Sequence, residues 1–259
     1  MIYNKYVKMN MRSSMQYRAN MLLIGFSQVL ISITELLAVY LMFKQFKSVG
    51  YWGFYETALM FGIITTTFAF AECFARGYDE FPKLIRNGAL DRLLVRPLNL
   101  HLQIFGEKTE FVKLFRVLLG IIVSVIAIVN LSISWTVLKV LVLIATFVCG
   151  ITVVTGVFMI GAGISVFTVD NTEFVNIITN GAKELSFYPI NIYNKWLARV
   201  FTFIIPFACF NYLPISFICG YGSVPMWLCG ISPLLGILFI IPCILFFNWC
   251  ISKYQSTGT

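Results

Sequence analysis

Few side chains in this 259-residue sequence could do chemistry, and they stand out because they interrupt apolar runs. Glu35 falls midway in one run, Glu72 near the end of a second, and Lys183 and Glu184 within a third. A charge at bilayer depth costs about 3 kcal/mol or more unless it is paired, neutralised or hydrated. These residues therefore read either as a cargo or proton site, with Glu35 the candidate for a cargo path, or as interhelical pairs around a water-filled vestibule. An intramembrane hydrolase would need histidine or an acid cluster at depth, and the single histidine, His101, lies in a polar loop. No ligand spacing suits zinc. Gly106-Glu107-Lys108-Thr109 lacks the spacing of a GxxxxGK[ST] phosphate loop. The chain is thus expected to be no enzyme and to hold no cofactor of its own. Of seven cysteines (Cys73, Cys149, Cys209, Cys219, Cys229, Cys243, Cys250) none form a CxxC pair. They read as small buried hydrophobes, with a bridge among Cys209, Cys219 and Cys229 as the other option.

The elements that must carry these residues belong to a membrane. Hydrophobic residues make up 59% and charged residues 12% of the chain, against roughly 45–50% and about 25% in ordinary soluble domains. A soluble core of this size could not hide that much apolar surface, whereas lipid solvates the outside of each helix. The net charge of +8 does not point to nucleic acid, because no basic soluble domain exists to carry it.

The basic residues instead gather in two flanking segments. Residues 1–20 hold four (Lys5, Lys8, Arg12, Arg18) and residues 76–116 hold eight (Arg76, Lys83, Arg86, Arg92, Arg96, Lys108, Lys113, Arg116). The 44–55 and 130–139 connections hold three together: Lys44, Lys47 and Lys139. This imbalance predicts that the N-terminus and the 76–110 loop are cytoplasmic. Lys5, Lys8 and Arg12 share one helical face, and Tyr3, Val7, Met11 and Ser14 gather opposite, as in an interfacial amphipathic helix. The apolar run that follows is span length, so a retained first span is expected and not a cleaved leader.

The expected fold is all-α: an integral membrane domain over 1–259 with six transmembrane helices. The interfacial helix takes 1–20, and spans one and two fall within 21–75. A cytoplasmic coupling region at 76–110 follows, then spans three and four within 111–168. Span five is 172–188, a re-entrant region is 190–230 and span six is 231–250, which leaves the C-terminus inside. Residues 135–168 are long for one span, so the fourth tilts, extends beyond the bilayer or breaks near Gly150. Its small-residue pairs Thr152/Gly156 and Gly161/Ser165 suit close helix packing. Pro189, Pro206, Pro214 and Pro225 break 190–230. Irregular backbone at membrane depth survives only when buried in protein or facing water. The competing reading there is one kinked span plus a loop.

The loop reads GYDEFPKLIRNGALDRLLVRPLN over 77–99. Asp79 can cap a helix and Pro82 suits its first turn. Phe81, Leu84 and Ile85 make one apolar face; after Gly88, Leu90, Leu93 and Leu94 make another, ended by Pro97. Lys83, Arg86, Arg92 and Arg96, with Asp91 among them, project elsewhere. A short amphipathic helix of this kind wants lipid headgroups or a groove on a soluble protein, and composition does not choose between them.

IRNGALDRLLVRPLN resembles the cytoplasmic signature of one branch of the type-two ABC exporter permeases. SFYPINIYNKWLARVFTFIIPFACFNYLP, residues 186–214, and the tail KYQSTGT resemble the same branch, so the likeness runs along nearly the whole chain. It implies a multi-pass permease subunit in a bacterial plasma membrane, working as a homodimer or heterodimer with a second permease and with cytoplasmic ATPase subunits that hold ATP and magnesium. It implies a coupling helix of about 79–96, docked through Phe81, Leu84, Ile85, Leu90, Leu93 and Leu94, with Arg86, Asp91, Arg92 and Arg96 setting register. The cargo implied is moved outward or between leaflets, and the aromatic-rich makeup suits a hydrophobic one. The alternatives are an ion-coupled secondary transporter, for which no clear inverted repeat is visible, and an intramembrane enzyme.

Overall fold

A computed structural model describes residues 2–48, 50–168, 172–221 and 225–255. The last four residues of the KYQSTGT tail and residues 222–224 of the Pro-broken region lie outside them. The protein is an all-α integral membrane protein. Among the described residues, five stretches are long and apolar enough to cross a bilayer, or six if one bent helix pair counts as a span.

α1 (Ile2–Gln16) and α2 (Arg18–Phe46) meet at Tyr17. α1 turns Tyr3, Tyr6, Val7, Asn10 and Ser14 inward and exposes Lys5, Lys8 and Arg12. Met11, expected on the apolar face of an interfacial helix, is exposed beside Met15. α2 buries only Gly25, Ser32, Val39 and Phe43. Those positions fall seven, seven and four apart, a single narrow stripe. Apart from Leu36, which packs against the core, its remaining Leu, Ile and Phe side chains face outward, which is stable only against lipid or another apolar protein surface.

α3 (Phe54–Phe74) is the central post, buried around nearly its whole circumference. It lies against α8 (Leu114–Asn130) through small residues. A Cβ placed on Gly62 would strike Ser124 and the Gly120 backbone, and one on Gly120 would strike Thr66. Small faces of this kind let two backbones touch where lipid offers no hydrophobic drive to associate. α9 (Val137–Ile164) runs unbroken through Gly150, so of the three alternatives for this stretch the break is set aside, and a helix of about 42 Å, longer than the roughly 30 Å hydrocarbon layer, is left to tilt or extend beyond it. Gly150 serves packing instead, against Thr67 and Phe210, while Gly156 and Gly163 receive Cys243, Phe239, Phe246 and Cys250.

α10 (Thr172–Ser186) has 15 residues, about 22 Å, too short to span alone. Phe187, just beyond it, packs on Phe61 midway along α3 (ring centroids 4.7 Å apart). α11 (Lys195–Arg199, extended as a π-turn to Ile204) and α12 (Tyr212–Cys219) meet at a 76° bend around Pro206. There Phe207 stacks on Phe68, 5.8 Å away, and Tyr221 beyond α12 returns to donate to Glu56 at the opposite end of α3. This segment dips into the bundle and comes back. Asn211 donates its amide to the Ser186 carbonyl, and Tyr193 donates to Leu185 O at 2.7 Å, so the irregular backbone is satisfied inside protein. α13 (Met226–Leu238) and α14 (Ile240–Ser252) form the last span. They part where Pro242 offers no N–H to the Leu238 carbonyl. All seven cysteines are free thiols, with Cys219 the most accessible.

Candidate functional site

The 76–110 connection folds into four short helices: α4 (Arg76–Asp79), α5 (Phe81–Arg86), α6 (Ala89–Leu94) and α7 (Leu100–Glu107). Local sequence sets each break. Pro82 occupies the first turn of α5, where a missing N–H costs nothing. Gly88 adopts φ 62°, a left-handed conformation that favours glycine, and separates α5 from α6. Asn99 caps α7, accepting from the backbone N–H of His101 and Leu102. Asp79 caps nothing: its carboxylate pairs with Arg76 at 2.5 Å, one turn back.

The connection is clamped to the bundle. Tyr78 is fully buried, and its hydroxyl meets His101 Nδ1 at 2.5 Å. His101 Nε2 reaches Asn248 Oδ1 on α14 at 2.9 Å. Phe247 of α14 packs edge-on against both Tyr78 and Phe81. A Cβ at Gly77 would fall onto the Ile104 carbonyl, which brings α4 and α7 into backbone contact. Gln103 donates to Leu93 O and Leu98 O, tying α7 to the end of α6. α1 seals the other side: Asn10 donates to Gly106 O at 3.0 Å, and Arg96 donates to the Tyr6 hydroxyl at 3.3 Å. Tyr254, past α14, lies beside Asp91; burial first, then that carboxylate, raises its phenol.

These contacts divide the sequence-derived site residues. Phe81, Ile85, Leu90 and Leu93 point inward and are buried, and Leu84 is half-buried. Arg86, Arg92, Leu94 and Arg96 are exposed, with Asp91 between the two sets. Lys83, Val95 (86% exposed), Pro97 and Leu98 complete the outer surface. Val95 and Leu98 escape a reading by helical stripe because they lie past the end of α6. Pro97 was the available signal, since it pushes Arg96 before it out of helical conformation and so ends the stripe next to Val95 and Leu98.

A belt of ion pairs underlies the connection. Glu80 meets Lys108 (2.5 Å) and Lys83 (3.4 Å), while Glu110 meets Arg76 (3.3 Å) and Lys108 (3.1 Å). Burial works to raise Glu80, but the Lys108 hydrogen bond and charge, with Lys83 and Arg76, outweigh it and hold its carboxyl below the usual range. At Asp79 burial dominates and Arg76 only partly opposes it, so that carboxyl sits higher than usual. Deeper, Glu72 receives Lys113 (2.8 Å) and Arg116 (3.0 Å). Glu35 is met by Lys183 at 2.9 and 3.2 Å, a pair that joins α2 to α10. A polar vestibule of about 290 Å³ opens among Glu72, Arg76, Asp79, Lys113, Arg116, Thr179 and Asn180.

The arrangement offers an exposed outer surface, a chain of contacts from Tyr78 through His101 to Asn248 on the last span, and a charged vestibule beside it. Residues 29–258 match the family model described as ABC-2 family transporter protein. No curated protein and no solved structure matches the chain.

Proposed function

This chain belongs to the ABC-2 transporter family as a multi-pass membrane permease of an ABC exporter, and we propose that α4–α7 is the lever through which a partner ATPase drives it. The chain is the transmembrane component and not the ATPase. The observation that carries the proposal is the clamp at Tyr78, His101 and Asn248. Force applied to the outer surface of α5 and α6 passes to α3 through the α4 junction and to α14 through buried contacts. A packed interface of this kind shifts between discrete arrangements and does not bend continuously.

The docking surface is the exposed set Lys83, Arg86, Arg92, Leu94, Val95, Arg96 and Leu98. An apolar centre of Leu94, Val95 and Leu98 with a basic rim suits a groove with acidic edges, where rim charges set register and encounter rate. Phe81, Ile85, Leu90 and Leu93 hold the lever rigid from within and do not touch the partner. ATP and magnesium belong to that partner. The loop side is cytoplasmic, the membrane is a bacterial plasma membrane, and the permease works in pairs, like or unlike. The lipid-facing apolar surface and aromatic makeup support a hydrophobic cargo that leaves outward or between leaflets. Glu35 serves first as the structural partner of Lys183, and any cargo contact there would have to compete with that pair.

The test is co-purification with an ABC ATPase from the same organism, followed by ATP hydrolysis by the assembled complex. Val95→Asp and Arg92→Glu should each lower recovery of the ATPase tenfold or more while the permease keeps its thermal stability, because both residues lie outside the packed interior. Undiminished recovery with both variants would show that this surface meets headgroups and not a motor.

A further inference from the structure

Arg116 is 6% exposed and spends one N–H on Glu72. Its Nε and Nη2 groups are buried with no partner among the described residues. Those two N–H groups form the side-on edge of the guanidinium, the planar fork that matches a carboxylate or phosphate in bidentate fashion. Buried donors are almost always satisfied, and each exception calls for a water, an ion or a functional role. Among the described residues, Arg116 lines the vestibule together with Arg76, Lys113, Glu72 and Asp79, and Arg76 is occupied by Asp79, Glu80 and Glu110. Glu72 is already shared by Lys113 and Arg116.

From this geometry we infer that the vestibule among α3, α8, α9 and α10 is a binding site for a single phosphate-type anion, gripped by the side-on edge of Arg116. Depth favours phosphate over a free carboxylate: Glu72 lies two residues from the end of α3, and Lys113 immediately precedes α8. The cavity thus sits where the spans meet the headgroup layer. Its volume of about 290 Å³ far exceeds the roughly 30 Å³ share of one water, leaving room for a phosphate ester with part of its hydration. Exposed Asn180 and partly exposed Arg76 mark the mouth. The anion is either a phospholipid phosphodiester entering sideways or a free phosphate ester entering from water. The site does not depend on the ATPase-coupling reading and can be tested with the permease alone.

The experiment measures thermal unfolding of the full chain in a phosphate-free maltoside detergent at constant ionic strength. Inorganic phosphate and, separately, phosphatidylglycerol are titrated, and native mass spectrometry counts retained lipid. Two variants accompany the wild type. Arg116→Lys keeps a cation for Glu72 but lacks the side-on edge, and Asn180→Asp places a like charge at the mouth. The expected result is a saturable rise in melting temperature for the wild type and at least tenfold weaker apparent affinity in both variants. A response to phosphatidylglycerol alone assigns a headgroup; a response to inorganic phosphate assigns a free anion, and both support the site. No wild-type response to either probe, or equal responses in wild type and Arg116→Lys, overturns it and makes Arg116 a hydrated structural residue.

Discussion

Glu35 and Lys183 are 148 positions apart in the chain, yet their side chains meet at 2.9 Å. Each alone is an anomaly in an apolar helix, and together they close α2 onto α10. Breaking a partly buried pair from one side strands the other charge, whereas replacing both with apolar groups of similar volume is often neutral. Glu35→Leu should therefore lower the melting temperature more than the double variant Glu35→Leu/Lys183→Met. If the single and double losses simply add, the pair is not coupled in the folded protein. The acid could be picked out from sequence by its setting. Its partner could not, because several cations were available and only the fold selects among them.

At the scale of elements, glycines with and without neighbours respond oppositely to added bulk. Gly62 lies against the Gly120 backbone and Ser124, so Gly62→Val forces α3 and α8 apart, and overpacking of this kind costs about 1–3 kcal/mol. Nothing stands within 4 Å of a Cβ on Gly181 in α10. Gly181→Ala should stabilise the helix by about 0.5–1 kcal/mol, since alanine loses less conformational freedom on folding. Thermal unfolding of the two variants beside wild type decides the matter, and a stabilising Gly62→Val would refute the close α3–α8 contact. Of the small residues that the sequence singled out in the fourth span, Gly156 packs against the last span. The tighter approach of α3 to α8 was not visible, because Gly62 with Thr66 and Gly120 with Ser124 resemble any other small pairs until the helices are paired. In α5 and α6 the apolar stripes were legible too. The element covering them was not: a stripe says that a face must be buried, and α14 and α7 turn out to bury it.

Across the whole molecule, α1, the α4–α7 connection and the end of α14 gather at one end of the bundle, through Asn10 with Gly106 and His101 with Asn248. The 50–55 connection and the turn after α12 gather at the other, through Tyr221 with Glu56. The chain therefore enters and leaves the bundle on the same side, as an even number of crossings requires. Basic residues concentrate at the first end, which the positive-inside tendency assigns to the cytoplasm. Cysteines introduced at the exposed positions Asn87 and Ser132 report on this with a membrane-impermeant maleimide. Ser132→Cys should label in intact cells and Asn87→Cys only after permeabilisation, and the reverse pattern would invert the orientation and remove the lever from the motor.

Composition alone settled that this chain lives in a bilayer and is helical, because 59% hydrophobic residues cannot be hidden in water and lipid demands that backbone groups pair internally. Charge counts and proline positions pointed to a cytoplasmic side for the basic loop, an expectation that the cysteine labelling tests, and to the place where regular helix fails. Those properties are local or additive, so they survive in a one-dimensional string. Tertiary structure decided the rest: that Lys183 answers Glu35, that four loop apolar residues face inward while Val95 and Leu98 face out, and that two Arg116 donors meet no partner among the described residues inside a polar cavity. Each of these depends on which distant segment arrives at a given side chain, and pairing over a hundred residues leaves no local trace.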